Sequence, residues 1–277
     1  MTYFNNLGQG RVGFKSSGGG GGVDADALAF ITAAAITGAT QQSAIITLVT
    51  QLKTYGIWSK MKALYPFVGG TAAQHRFNLK DPRTVNAAFY LDFLGGGTHS
   101  ATGYLPNGNS YADTKLVPSL NGLTTSNAHI SFYSRDTNLN GLFPIDMGVD
   151  QPGTGLNITQ KMPSIDSALY HGRAFAQRID GVDSNNIRGL HLLSRISSTS
   201  LKYVRNNSLT QTNTTLETGP VPTLAIFIGS LNNNGTPGLY STREQAFASI
   251  GDGLTDTEAT ALYNAVQTYQ TTLGRAV

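Results

Sequence analysis

Polar and apolar side chains alternate through most of residues 129–134, whose sequence is His-Ile-Ser-Phe-Tyr-Ser. Because successive side chains of a strand point to opposite faces of a sheet, this pattern predicts a β-strand. Comparable short runs occur at residues 88–93, 190–196, 201–204 and 224–229. Asn-Gly and Asn-Asn pairs, which favour tight hairpin turns, lie between several of them. Many short strands with turns at this spacing favour a sandwich or barrel over an alternating α/β fold.

The composition supports a folded chain rich in turns. Hydrophobic residues make up 40% of the 277 residues, which is enough for a sizeable core. Charged residues make up only 13%, about half the usual share for a soluble domain. Gly, Ser, Thr and Asn are abundant instead, and these residues suit tight turns because they tolerate positive φ or bond to the local backbone.

Charge and cysteine content exclude several classes of function. The 19 basic and 16 acidic residues are scattered, so the clustered positive charge that nucleic acid requires is absent and no nucleic-acid partner is expected. The chain has no cysteine, which excludes disulfides, thiolate metal sites and a cysteine nucleophile. Residues 1–14 have no apolar signal-peptide core, and no segment reaches the length of a membrane span, so we expect neither signal-directed secretion nor membrane insertion.

Three segments differ in character. Residues 1–22 are polar and end in a run of five glycines, and we interpret them as an N-terminal attachment arm or linker. Residues 23–70 predict a small helical adaptor, with helices capped by Asp24 and Thr40 and a further turn or two over residues 57–64. Residues 71–277 predict the β-sandwich.

A short helix is predicted after the last strand. Thr255 and Glu258 have the spacing of a capping box, in which each side chain bonds to the backbone N–H of the other residue. Apolar residues then follow at helical spacing, and Gly274 ends the helix.

The last eighty or so residues resemble the laminin-G/concanavalin-A-like sandwich family. The resemblance lies in a hairpin at residues 202–207, an apolar strand ending at Phe227-Ile228-Gly229, a penultimate strand at residues 245–250 and a helix start at residues 254–263. It implies a mainly β fold, a concanavalin-A-like (jelly-roll) antiparallel β-sandwich, with a small N-terminal helical segment and a short C-terminal helix.

A second resemblance covers more of the chain. Residues 24–82, 232–235 and 246–253 look like structural proteins of tailed phages, fibre- or head-associated. This implies a virion protein, assembled in the bacterial cytoplasm and exposed on the particle, with other virion proteins as partners and a homotrimer as the expected assembly. Residues of the arm that would attach it to the virion are Tyr3, Phe4, Arg11 and Phe14.

Hydrolytic chemistry is not expected. Glycoside hydrolysis needs two carboxyl groups on either side of the scissile bond, and in this fold they come from one strand as Glu-x-Asp-x-Glu. The only glutamates are Glu217, Glu244 and Glu258, none in such a motif. We therefore predict a protein without enzymatic activity.

No cofactor is predicted either, since no two histidines have metal-ligand spacing. In the sandwich family, oxygen-rich loops can bind calcium. The residues that would do so here also suit an ordinary turn-rich loop. They are Asp136, Asp146 and Asp150, with Asn138 and Asn140.

A glycan site would combine aromatic faces with polar donors on loops. Two groups of residues fit this description, although the same residue types also make ordinary turns. The first group is Tyr104, Asn107, Asn109, Tyr111 and Asp113; the second is Asn232, Asn233, Asn234, Tyr240 and Arg243.

The resulting hypothesis is a tail-fibre or tail-associated protein that displays the sandwich to host-surface glycans. Three alternatives stay open. The chain could be a capsid-decoration or head-fibre protein without a receptor, a polysaccharide depolymerase, or a secreted lectin, against which the missing signal peptide argues.

Overall fold

The computed structural model describes residues 22–136, 144–159, 171–179 and 188–277. These residues form three layers, in which helices cover one face of a first β-sheet and a second sheet covers the other. The helices are α1 (Ala25–Ala33), α2 (Ala39–Thr54), α3 (Ala72–His75) and α4 (Asp256–Thr272). Single 3₁₀ turns lie at Trp58–Lys60, Asn86–Ala88 and Pro118–Leu120. None of these helices has the length and apolar character of a membrane span.

The strands of both sheets are short. In chain order they are β1 (Met61–Tyr65), β2 (Asp92–Leu94), β3 (Thr98–Ser100), β4 (Gly103–Leu105), β5 (Tyr111–Asp113), β6 (Ala128–Ser134), β7 (Met147–Gln151), β8 (Thr154–Thr159), β9 (His171–Ala174), β10 (Gln177–Ile179), β11 (Gly189–Ser197), β12 (Ser200–Arg205), β13 (Ser208–Asn213), β14 (Phe227–Ile228), β15 (Leu231–Asn233), β16 (Thr236–Gly238) and β17 (Gln245–Gly251).

The first sheet has the strand order β13-β12-β11-β6-β17-β4-β3, and β1 also pairs with β17. The second sheet has the order β10-β9-β8-β7-β14-β5-β2, with β15 beside β7 and β16 beside β15. The described strands pair antiparallel except β15 and β7, which run parallel. The predicted sandwich is therefore confirmed, with one parallel pairing added to it.

Two apolar cores hold the layers together. Between the sheets, Ile130 and Phe132 of β6 belong to one buried cluster with Val149 of β7 and Leu156 of β8. On the other face of the first sheet, Tyr133 joins the cluster formed by α1, α2 and α4. Because successive side chains of β6 point to opposite faces of the sheet and both faces are covered, all seven of its residues are buried. Among the described residues, no second apolar cluster lies on the outer face of the second sheet.

The predicted helix caps are confirmed at α1 and α4. The Asp24 carboxylate accepts hydrogen bonds from the backbone N–H of Asp26 and of Ala27. Thr255 and Glu258 form the complete capping box. At α2 the prediction was wrong, because Gly38 occupies the cap and Thr40 lies inside the first turn.

Residues 57–64 also differ from the prediction. Instead of further helix they contain one 3₁₀ turn followed by β1, which pairs antiparallel with β17. Pairing with an otherwise open edge of β17 satisfies the backbone of this stretch, which a short isolated helix would leave partly unbonded. The helical segment of residues 23–70 thus contributes a strand to the first sheet.

The remaining strand predictions hold to different extents. Those at residues 129–134, 190–196, 201–204 and 245–250 are confirmed. The run at 88–93 is a strand only from Asp92, because Phe89 adopts left-handed backbone geometry (φ 56°) after a 3₁₀ turn. The run at 224–229 forms only the two-residue strand β14, and it ends at Gly229 with φ 83°.

Candidate functional site

The outer face of the second sheet is the surface on which the predicted binding residues meet. Ala112 and Ile228 point inward to the core between the sheets, so their neighbours Tyr111, Asp113 and Phe227 point outward. No helix of the described residues covers this side of β5 and β14.

Three aromatic rings form a patch on this outer face. The ring centroids of Tyr111 and Phe227 are 4.6 Å apart, and those of Tyr111 and Tyr240 are 6.4 Å apart. Tyr111 and Tyr240 are partly exposed, whereas Phe227 is 7% exposed and lies beneath the surface. We call Tyr111, Phe227 and Tyr240 the aromatic patch.

The hairpin β15–β16 lies next to the aromatic patch. Its turn residues Asn234 and Gly235 have φ of 49° and 93°, the left-handed pair that an Asn-Gly hairpin turn requires. Asn232 stiffens the turn, since its carbonyl oxygen accepts from Gly235 N at 2.9 Å and its amide donates to the Ala225 carbonyl at 2.8 Å. Asn232 is buried and is therefore a structural residue of the site rather than a contact surface.

A surface depression of about 720 Å³ with several polar side chains in its lining lies against this hairpin. Its lining consists of Asp150, Gln151, Pro152, Gly153, Asn233, Asn234 and Thr236. Asn233 pairs with Asp150 in the parallel register of β15 and β7, and Asn234 N donates to the Asp150 carbonyl at 2.8 Å. We call this surface the polar depression.

The aromatic patch and the polar depression share the hairpin as a common wall. Thr236 lines the depression, and the carbonyl of the next residue, Pro237, accepts a hydrogen bond from the Tyr240 hydroxyl at 3.3 Å. The turn at Gly108 approaches the same region, where an added Cβ would lie 3.4 Å from Thr242 Cγ2. The two predicted groups of residues, distant in sequence, therefore contribute to one surface.

A pair of carboxylates lies beside the aromatic patch. Asp92 of β2 is directly opposite Asp113 of β5, and both point outward. Lys115 Nζ is 2.8 Å from the Asp92 carboxylate and 3.8 Å from the centroid of the Tyr90 ring. The Arg76 guanidinium also lies over the Tyr90 ring, 4.7 Å from its centroid.

The two carboxylates differ in acidity. Burial raises the pKa of Asp113, and the negative charge of Asp92 raises it further. The hydrogen bond from Lys115 N lowers this pKa, but by less than burial raises it. Partial burial alone would raise the pKa of Asp92 as well, but the hydrogen bond and charge of Lys115 outweigh it, so the pKa is lowered. The pair thus places one acidic and one less acidic carboxyl group at the edge of the aromatic patch.

Besides the buried Asn232, two further predicted glycan residues are not on the surface. Tyr104 is fully buried, with its ring 5.0 Å from that of Phe93 and 5.0 Å from that of His99. Arg243 is also fully buried, and its Nη1 is 2.8 Å from the Asp146 carboxylate. Tyr104 and Arg243 were therefore wrong predictions, because a side chain enclosed in the core offers no group to a ligand outside it.

Asn107 and Asn109 are exposed and shape the turn before β5. The Asn107 amide donates to the carbonyl of Gly95 at 3.0 Å, and its carbonyl oxygen accepts from Asn109 N at 3.0 Å. The Asn109 side chain therefore faces solvent near the patch, whereas that of Asn107 is used within the turn. The predicted attachment residues Tyr3, Phe4, Arg11 and Phe14 lie outside the described residues.

Two of the candidate calcium ligands that the structure describes, Asp146 and Asp150, do not converge. Asp146 directly precedes β7 and Asp150 lies within it, four residues further on, which corresponds to about 13 Å in an extended chain. The buried Asp146 carboxylate already accepts from Ser241 and Arg243, while Asn138 and Asn140 lie outside the described residues. Within the described ranges, no group of three His, Cys, Asp or Glu side chains could hold a metal ion.

All three glutamates have structural contacts. Glu217 accepts from the backbone N–H groups of Ala176 and Gln177, each at 2.8 Å. Glu244 forms an ion pair with Arg135 at 2.7 Å, and Glu258 caps α4. These contacts use the glutamates to hold loops and termini in place.

Sequence reasoning missed two features of the site. Phe227 was assigned to the apolar strand, but the alternation within β14 turns it outward. The opposition of Asp92 and Asp113 depends on the pairing of β2 with β5, which local patterns do not encode. The outward direction of Phe227 could have been predicted from the sequence. If Ile228 points into the core, its neighbour in the strand points to the opposite face.

Comparisons with known proteins give only distant similarities. No family model matches this sequence, and no curated protein is significantly similar to it. Among solved structures, domain 4 of an extracellular GH43 arabinanase from Geobacillus stearothermophilus, in complex with arabinotriose, is similar with 13% identity and a TM-score of 0.49. That similarity covers 74% of this chain and 98% of the arabinanase domain.

A structure of botulinum neurotoxin type C, whose cell entry depends on interaction with two ganglioside molecules, is similar with 11% identity and a TM-score of 0.48. The similarity covers 77% of this chain and 53% of that one, so the chain spans about half the length of the toxin fragment. The CBM40 of a Ruminococcus gnavus sialidase has 15% identity, a TM-score of 0.34, and coverage of 50% of this chain and 81% of that one. The sandwich fold itself rests on the strand pairing and the two buried cores.

Proposed function

We propose that this chain is a non-enzymatic phage virion protein that binds neutral glycans of the host surface with the outer face of its second sheet. The observation that carries the proposal is the pair of partly exposed rings of Tyr111 and Tyr240, 6.4 Å apart, beside a polar depression. Carbohydrate and other small-ligand sites combine apolar or aromatic surface with a few polar groups that fix orientation.

The two parts of the site have complementary roles. The C–H face of a sugar ring packs on Tyr111 and Tyr240, because aromatic rings bury large apolar area with little loss of side-chain freedom. Hydroxyl groups of the next sugar reach Asn233 and Asn234 in the polar depression, where amides both donate and accept. Asp150 and Thr236 supply further acceptors there.

The charge around the patch favours uncharged sugars. Asp113 lies next to Tyr111, and Asp150 lines the polar depression. Of the nearby cations among the described residues, Lys115 is engaged with Asp92 and the Tyr90 ring and has a side chain only 13% exposed, and Arg76 lies 3.6 Å from the Asp92 carboxylate. A sialic or uronic acid carboxylate would therefore meet negative charge, whereas the hydroxyl groups of a neutral sugar can donate to it.

The virion part of the proposal is supported only by the resemblance of residues 24–82, 232–235 and 246–253, read from the sequence, to structural proteins of tailed phages. In this proposal the chain is tail-fibre or tail-associated, is assembled in the bacterial cytoplasm and forms a homotrimer on the particle. Residues 1–22 attach it to other virion proteins, with Tyr3, Phe4, Arg11 and Phe14 as contact residues. The alternative is a capsid-decoration or head-fibre protein that has no specific receptor.

The full chain should be screened against an array of neutral and acidic glycans, and binding should then be measured by calorimetry with the best neutral oligosaccharide. We expect Tyr111→Ala and Tyr240→Ala each to weaken binding about tenfold, which corresponds to about 1.4 kcal/mol. The control is Tyr55→Ala, which removes an exposed tyrosine from the far side of the helical layer. No glycan binding by the wild type, or equal losses in all three variants, would contradict the proposal and favour the head-decoration alternative.

A polysaccharide depolymerase is favoured by one observation, the opposed carboxylates of Asp92 and Asp113. Directly opposite residues have Cβ atoms about 4.5–5.5 Å apart, close to the carboxyl separation of retaining glycosidases. Incubation of host polysaccharide with the protein, followed by assay of new reducing ends, tests this function. If the wild type releases sugar and the Asp113→Asn variant does not, the protein is a hydrolase and the proposal of a non-enzymatic protein is overturned.

A further inference from the structure

An apolar groove opens on the helical layer, on the side of the molecule away from the second sheet. It has a volume of about 330 Å³ between α1 and α2. Its lining, which we call the helical groove, consists of Val23, Leu28, Ile31, Thr32, Gln42 and Ile46. Val23 and Leu28 are 40% and 49% exposed, which is high for large apolar residues.

The polar residues of the helical groove are already satisfied within the protein. The Thr32 hydroxyl donates to the Leu28 carbonyl at 2.8 Å, and the Gln42 amide donates to the Ile36 carbonyl at 2.7 Å. The surface that remains for a partner is therefore apolar, and it suits an aromatic or aliphatic side chain rather than a sugar.

The chain enters α1 along one wall of this groove. With Asp24 as the N-cap, Val23 and Leu28 occupy the two positions at which apolar residues pack as a hydrophobic staple. A staple fixes the direction in which the chain approaches a helix, but here it leaves both side chains partly exposed. The chain therefore enters α1 beside exposed apolar surface.

We propose that the helical groove holds residues 12–15 of the same chain, with Phe14 as the side chain inserted between Leu28 and Ile46. Nine residue steps separate Phe14 from Val23, and an extended chain covers up to about 30 Å in nine steps. The nine residues of α1 extend over only about 14 Å, so the groove is within reach. The glycines at 18–22 permit the reversal of direction, because glycine adopts positive φ without strain.

Charge and tethering favour this occupant over another molecule. Residues 1–22 contain Arg11 and Lys15 and no acidic residue. The start of α1 carries two carboxylates, the N-cap Asp24 and the half-exposed Asp26, which share the single cation Lys53 at 2.8 and 2.6 Å and so keep a net negative charge. A short flexible tether holds its end at an effective concentration on the order of millimolar, well above that of a second copy in dilute solution. The groove would then store the arm until a partner protein displaces it, and this does not depend on glycan binding.

Disulfide trapping tests the proposal directly, because the chain has no native cysteine. In the full chain, Val12→Cys is combined with Thr32→Cys, which lines the groove without forming its apolar wall. The matched control combines Val12→Cys with Leu120→Cys, an 80% exposed position outside the groove. Oxidation of dilute protein is followed by non-reducing electrophoresis and mass spectrometry.

We expect the groove pair to form an intramolecular disulfide at least about tenfold faster than the control pair, as a tethered, docked segment should. Adding Phe14→Ser to the groove pair should remove this advantage, while circular dichroism verifies that the fold is retained. A disulfide-linked dimer would show that a second copy occupies the groove, and equal rates for both pairs would show that nothing docks there. Either result overturns the proposal.

Discussion

The Asp146 carboxylate and the Arg243 guanidinium form an ion pair at 2.8 Å although neither side chain is exposed to solvent. The Ser241 hydroxyl donates to the other carboxylate oxygen at 2.6 Å, and the Gln245 amide donates to the Asp146 carbonyl at 2.8 Å. This network ties the start of β7 in the second sheet to the segment that enters β17 in the first. It therefore links the two sheets close to the hairpin that carries the proposed site.

Replacing Arg243 with methionine should destabilise the protein by about 3–5 kcal/mol, since the buried Asp146 charge would lose its counter-ion. The double variant Asp146→Leu/Arg243→Met should recover much of this loss, because no charge is then left in the interior. Urea denaturation gives the free energies of unfolding. A single variant as stable as the wild type would show that the pair is not as enclosed as its geometry indicates.

Gly148→Ala should distort the outer face of the second sheet. A Cβ at Gly148 would overlap the Cβ of Asn157 on the neighbouring strand, so the strands would have to shift. We expect a loss of about 1–3 kcal/mol in the free energy of unfolding. Gly238→Ala is a matched control, because nothing lies within 4 Å of its added Cβ and its φ is not left-handed. Similar losses in both variants would contradict the steric explanation.

Acid should weaken the fold through His129. Its Nδ1 lies 2.6 Å from the Asp252 carbonyl, which can only accept, so Nδ1 carries the proton and Nε2 accepts from the Ser249 hydroxyl at 3.0 Å. Burial lowers the pKa of His129 from 6.5 to about 4, although the Asp252 carbonyl opposes this. Between these values the unfolded chain binds a proton that the folded chain does not, so stability falls as the pH decreases from 6.5 towards 4.

The loss from His129 alone should reach about 3 kcal/mol at the acid end of this range. Unfolding free energies of the wild type and His129→Gln should be compared at several pH values between 7.5 and 4. The variant is expected to start less stable but to lose less on acidification. Parallel pH profiles for the two proteins would rule out His129 as the titrating group.

Much of the local structure was predictable because its signals are local. The capping residues Asp24 and Thr255 act on amides two or three positions away, and the Asn206-Asn207 pair supplies both left-handed residues of its turn. The alternation over residues 129–134 likewise needs no partner to be recognised. These predictions depend on interactions that lie within a few residues.

The errors concern residues whose neighbours are distant in sequence. Arg243 resembles a surface residue of a polar loop until Asp146 is brought against it, and Tyr104 resembles a turn residue until it packs on Phe93. The contact of Tyr111 with Tyr240 also depends on the order of β5, β14 and the hairpin β15–β16 within the second sheet. Strand order is set by the whole fold, so the site could be predicted only as two separate groups.

The capping box of α4 should contribute about 1 kcal/mol to stability. The Thr255 hydroxyl oxygen accepts from Glu258 N at 3.3 Å, and the Glu258 carboxylate accepts from Thr255 N at 2.9 Å. Thr255→Ala removes the first of these bonds and leaves a helix N–H without a partner, whereas Thr255→Ser retains it. In thermal denaturation, the alanine variant should therefore have a lower melting temperature than the wild type, and the serine variant should melt close to the wild type.

The position of β17 has a consequence for how the protein acquires its fold. This strand comes late in the sequence, yet it lies between β6 and β4 and also pairs with β1. During translation, β6, β4 and β1 lack their common partner until residues 245–251 have left the ribosome, so the edges of these earlier strands stay unpaired. Such long-range pairing makes folding slow and exposes intermediates to aggregation, and chaperone dependence should be greatest for nascent chains that stop short of β17.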